Sequence, residues 1–218
     1  MSAFYYLSIL SPVLPIFFFI LFRPGKSIKV LWVVFFYVIF SFSIDFLRFL
    51  SKKDEPYVFV LLFTLIDYTF VFFIMRLLLE SRIVKIILSG ISIFFVIYIA
   101  LLFFRANPAS YPTISPVESI IVLIFCILYL FEQLNKPQEL FIYSTPGFWI
   151  ILAFLVYASG TLFLYIFRII NFQEVEKWWV INNVCNIILN GLFALSFLIH
   201  HMSLKSKNPS REIPHFDN

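Results

Sequence analysis

The sequence predicts an all-α polytopic membrane protein built as a seven-transmembrane-helix bundle. Three observations predict it. Of the 218 residues, 62% are hydrophobic and only 13% are charged, where soluble domains carry about 25% charged residues. Mean hydropathy is +0.98. The apolar residues also gather into runs close to the ~20 that a helix needs to cross hydrocarbon, without the apolar–polar alternation of barrel strands.

Seven runs qualify, over 3–22, 30–50, 57–79, 83–104, 117–131, 148–169 and 178–202. No basic segment precedes the first and no small-residue cleavage motif ends it, so it is expected to be a retained helix. Pro12 and Pro15 within it predict a kink or a break. The fifth run is short, but Pro116 can open it and Leu134 can extend it. Linkers are short throughout. The chain therefore reads as one membrane domain over 1–202 followed by a short basic tail over 203–218.

Orientation follows from the Lys and Arg count on each side. Ten (Arg23, Lys26, Lys29, Arg76, Arg82, Lys85, Lys136, Lys205, Lys207 and Arg211) face six (Arg48, Lys52, Lys53, Arg105, Arg168 and Lys177). The expectation is an N-terminus outside and a C-terminus in the cytoplasm, in a bacterial inner membrane. The tail cations Lys205, Lys207 and Arg211 suit anionic lipid.

Polar residues inside the runs concentrate in the outer half. Asp45 and Arg48 stand about one turn apart and are read as a structural ion pair. Asp67 lies about ten residues into the third run, or ~15 Å deep at 1.5 Å per residue. Glu118 opens the fifth run, and the sixth offers Tyr157, Ser159, Thr161 and Tyr165. The last run carries Asn182, Asn183, Asn186 and Asn190. At about 100° per residue the last three share one narrow face, with Asn182 beside it. Carboxamides are costly to strand in hydrocarbon, so that face has to meet other helices or a water-filled cavity. One reading is interhelical glue worth ~1 kcal/mol per contact; the other is a ligand-facing cavity. Ionisable groups at membrane depth are functional candidates by default, although Asp67 has a structural alternative in pairing with Arg48 or Asn190. The candidate ligand-binding set is Asp67, Glu118, Tyr157, Asn182, Asn183, Asn186 and Asn190, facing one outward-opening cavity with Glu118 at its mouth.

Several chemistries have no residues to carry them. His200, His201 and His215 lie at or beyond the inner end of the last run, where interfacial anchoring is expected and no metal site forms. That run holds no deep lysine for a Schiff base, and no phosphate loop or Gly-x-Ser-x-Gly elbow occurs. No cofactor and no catalytic residue are assigned. Ser89-Gly90-Ile91-Ser92 reads as a small-residue packing face, and Cys126 and Cys185 as buried small hydrophobes. The net charge of +4 comes from loop cations and gives no nucleic-acid signal. Transport is not favoured, since no internal repeat accompanies the prolines.

Pro116-Val117-Glu118-Ser119, then Phe148-Trp149, Tyr157 and Gly160, then Asn182-Asn183 and Asn186-Ile187 carry a resemblance. This part of the chain resembles seven-helix bacterial membrane modules that stand alone or form the N-terminal sensor region of certain histidine kinases. In such kinases the last helix continues into a coiled coil and a catalytic domain. Residues 203–218 hold no heptads and no kinase motif, so output is expected from another chain. The expectation is a receptor-like or accessory membrane subunit that contacts lipid and a membrane-protein partner. A purely structural subunit of a larger complex and a lipid-acting enzyme using Asp67 and Glu118 as acid and base stand beside it.

Overall fold

Pro12 and Pro15 have no N–H, so the carbonyls of Ser8 and Ser11 lose the donors an unbroken helix would supply. In the computed structural model, which describes residues 3–25, 28–51, 57–105, 114–135, 142–170 and 175–207, the first span accordingly divides into α1 (Ala3–Leu10) and α2 (Val13–Phe22). The Ser11 hydroxyl donates to the Ser8 carbonyl at 2.7 Å. The Leu14 N–H donates to the Ser11 carbonyl at 3.1 Å. Both exposed carbonyls are thus satisfied within the segment, as a lipid surround requires.

Six long helices follow: α3 (Lys29–Ser51), α4 (Tyr57–Leu78), α5 (Arg82–Arg105), α6 (Ile114–Leu134), α7 (Pro146–Ile170) and α8 (Val175–Lys207). Counting α1 and α2 as one span, seven segments among the described residues are long and apolar enough to cross a membrane. The protein is an all-α, multi-pass membrane bundle. Two ends differ from the sequence reading. α6 opens at Ile114, with Pro116 inside its first turn, where a missing N–H costs nothing. α8 runs past Met202 to Lys207, because a helix need not stop where its apolar face stops. A 3-10 turn at Ile142–Ser144 leads into α7, and the Trp149 indole N–H ties back to the Tyr143 carbonyl at 2.7 Å.

α8 is the axis of the bundle, packed on α7, α2 and α1; α4 sits among α3, α5 and α6. The closest approach of α7 and α8 depends on Gly160, where an added Cβ would collide with Cys185 Sγ. Both cysteines are free and buried. Away from the N-terminal end, the interior is filled with aromatic rings. Phe19 stacks on Phe35 at 3.9 Å and meets Trp32 and Phe197 edge-on at 4.9 and 5.2 Å. The outer surface is apolar instead, with Phe94 76% and Phe104 83% exposed, as suits helices solvated by acyl chains.

Some expectations change. A Cβ on Gly90 would meet nothing within 4 Å, so 89–92 is no tight packing face. Its serines bond instead: Ser92 with the Tyr68 hydroxyl at 2.8 Å, and Ser89 accepting from Arg76 at 3.3 Å. His200 is buried against the bundle. His201 is exposed and stacks on Phe22 at 4.6 Å. Lys26, Lys52, Lys53, Lys136, Arg211 and His215 lie outside the described residues, as do the side chains of Arg105, Arg168, Lys177, Lys205 and Lys207.

Candidate ligand cavity

Polar side chains cannot face lipid cheaply, so each span turns its polar stripe inward. Helical periodicity makes those stripes. α3 presents Tyr37, Ser41, Asp45 and Arg48, spaced four, four and three apart; α7 presents Phe154, Tyr157, Ala158, Thr161 and Tyr165. At the N-terminal end, where α1 and α8 begin and α3 and α7 finish, the stripes of α1, α3, α4, α6, α7 and α8 converge without closing. They enclose a cavity of about 1100 Å³.

Asp67 (α4), Glu118 (α6), Tyr157 (α7) and Asn182, Asn183 and Asn186 (α8) all line it. Four helices thus bring six of the seven predicted residues to one space. Asn190 is the exception. It is 4% exposed, and its amide donates to the Ser11 hydroxyl and to the Asn186 carbonyl, both at 2.9 Å. The reason is depth. At the level of Asn190 the break between α1 and α2 presses on α8 and offers the Ser11 oxygen.

Asn186 plays both parts that the sequence left open. It lines the cavity, and its amide donates to Ser8 Oγ at 3.0 Å. Ser8 is itself on the wall, with Tyr5 and Ile9. This α1 wall was not read from the sequence. Ser8 and Ser11 share a face three residues apart, and that spacing is the signal that could have found them.

The charged groups sort as follows. Asp45 and Arg48 form the expected pair at 3.8 Å, with 27% and 34% of their side chains exposed. Both also line the cavity, and Arg48 lies over the Phe63 ring at 4.5 Å. Tyr37 lines the cavity together with Asp67. It too was missed, although it continues the stripe of Ser41 and Asp45 by one turn. Glu118 Oε1 is buried and, among the described residues, has no hydrogen-bond partner. Beside it, Ser119 and Thr161 join α6 to α7 at 3.1 Å. The Thr161 hydroxyl already donates to backbone carbonyls of α7, so Ser119 supplies the proton between them.

The floor is apolar. Tyr37 and Phe154 pack at 5.7 Å, and both rest on Phe193 at 6.0 and 5.3 Å. Among the described residues no three His, Cys, Asp or Glu side chains converge as a metal site requires. Chemically, the cavity offers carboxylates, carboxamides and hydroxyls above an aromatic base, at a volume near the upper range for small-molecule sites, roughly 300–1,000 Å³. The chain matches no family model, no curated protein and no solved structure.

Proposed function

We propose that this chain is a receptor-like or accessory membrane subunit whose cavity takes a ligand from outside the cell and passes the event to a membrane partner. The observation that carries the reading is the cavity itself. A bundle held only by glue has every reason to close over its polar residues, as this one does around Asn190 and Ser11. One turn higher it stays open by about 1100 Å³. Occupancy then has a movable element to act on. α1 forms one wall, ends at the Ser11–Pro12 break, and is held to α8 through Ser8 and Asn186. A ligand that engages Asn186 competes with Ser8 and biases α1 between two packings, which the rest of the bundle relays. The outward orientation rests on the ten-to-six cation count.

Ser41, midway down the α3 stripe, gives the test. In Ser41→Cys, a membrane-impermeant thiosulfonate added to intact cells should label the new thiol above the wild-type background. Labelling only after permeabilisation would put the cavity on the cytoplasmic side. No labelling under either condition would defeat the reading of a solvent-reached cavity.

A further inference from the structure

The charge on the cavity wall says what kind of ligand it suits. Among the described residues, three carboxyl groups, Asp45, Asp67 and Glu118, and one guanidinium, Arg48, line it. Arg48 is engaged with Asp45 at 3.8 Å and with the Phe63 ring at 4.5 Å. Among the described residues Glu118 keeps an oxygen that is buried without a partner. A carboxyl away from water either stays protonated or takes a cationic or strongly donating partner. The described protein residues do not supply enough such partners.

The shape of the deficit argues against a bare metal ion. The carboxylates stand on three different helices, and no three of them converge on a point. What they share is a roomy space whose walls also carry the rings of Tyr37, Phe63, Phe154, Tyr157, Tyr165 and Trp179 among hydroxyls, carboxamides and aliphatic groups. Ring faces attract ammonium groups, and more so when water is excluded. Carboxylates spread around a cavity that carries such rings fit an extended organic cation.

We infer that the cavity binds an organic ammonium ion, with Glu118 and Asp67 as its anionic contacts and the aromatic walls taking its carbon frame. This rests on the proposed ligand-binding reading and gives it a chemical class. The ammonium can come from a soluble amine or from the headgroup of an aminophospholipid entering from the membrane.

The test uses the full-length protein in nanodiscs of phosphatidylglycerol, a lipid without an ammonium group. Thermal unfolding is followed while tyramine, spermidine or tetraethylammonium is titrated in. Two probes with the tyramine skeleton but different charge serve as comparison, neutral tyrosol and anionic 4-hydroxyphenylacetate. At least one cation should raise the Tm saturably, and neither comparison probe should. Charge-assisted hydrogen bonds are worth about 1.5–3 kcal/mol, so Glu118→Gln or Asp67→Asn should weaken that binding about 10-fold to 100-fold. Glu132→Gln, at the other end of α6, should leave it unchanged. If the headgroup is the source, adding phosphatidylethanolamine should itself raise the Tm, in a manner lost in Glu118→Gln, and should block the soluble cations. Tyrosol binding as tightly as tyramine would overturn the ammonium inference while leaving a ligand cavity standing. Stabilisation by none of the cations and none by phosphatidylethanolamine would also overturn it. The Ser41→Cys labelling then decides separately whether the cavity reading survives.

Discussion

The break in the first span makes an asymmetric prediction about two residues that bond to each other. Asn190 donates to Ser11 Oγ at 2.9 Å, and Ser11 donates onward to the Ser8 carbonyl at 2.7 Å. Replacing Asn190 by leucine removes an interhelical hydrogen bond and a longer one, at 3.3 Å, to Asn186 Oδ1, which belongs to a residue on the open cavity wall. Ser11 keeps its own donor bond, and the Asn186 carbonyl keeps the backbone N–H of the helix. The expected cost is therefore that of one membrane hydrogen bond, about 0.6 kcal/mol and at most ~1.7. Ser11→Ala removes the same bond and also the proton that satisfies a carbonyl orphaned by Pro12. The Ser11 backbone N–H lies at 3.3 Å from that carbonyl and is shared with Leu7, so it compensates only in part. Leaving the carbonyl under-satisfied adds about 1–3 kcal/mol. Ser11→Ala should therefore be the more damaging by about that amount, although it deletes the smaller side chain. Reversible unfolding in mixed micelles, with both single variants and the double variant, measures the difference. An Asn190→Leu cost equal to or above that of Ser11→Ala would refute the accounting of the break.

Two more predictions follow from packing. Gly160→Ala forces a Cβ into Cys185 Sγ and should cost about 1–3 kcal/mol as overpacking does; Cys185→Gly in the same chain should recover most of it in the same unfolding assay. Tyr68→Phe should cost about 1 kcal/mol or less, because Ser92 keeps its bond to the Leu88 carbonyl at 2.7 Å, and it should leave Ser41→Cys labelling unchanged, since Tyr68 turns toward α5 while Asp67 beside it turns into the cavity.

How much of this was legible in the sequence varies with the kind of force. The spans were legible because hydrocarbon thickness sets a length that any apolar run either meets or misses. The break was legible because Pro12 removes a specific donor. The inward faces of α4, α7 and α8 were legible too, since polar atoms avoid lipid and periodicity fixes which residues share a side. The partner of each face was not. Ser8 and Asn186 lie 178 positions apart, and no local pattern records which helix lies across from α8. Tyr37 escaped notice for a related reason: a tyrosine in an apolar run looks like packing until it is seen on a cavity wall with carboxyl groups. Asn190 shares its neighbours' face and lies at a depth similar to that of Asp67, but neither angle nor depth records which helix closes over it.

Depth is what separates the two roles that the asparagines play. Asn190 and Asn186 are one turn apart on α8, and each donates to a serine of the first span, at 2.9 and 3.0 Å. By bonding alone they are equivalent. Below, the serine sits at the break, where α2 also packs on α8 and Asn190 is only 4% exposed. Above, the serine belongs to α1, a helix of eight residues that ends at that break, and the bond borders open space. The same donor–acceptor pair is thus a fixed joint at one level and an exchangeable contact at the next. Polar glue in a membrane bundle and a polar binding surface differ here by 5.4 Å of helix and by what lies on the other side.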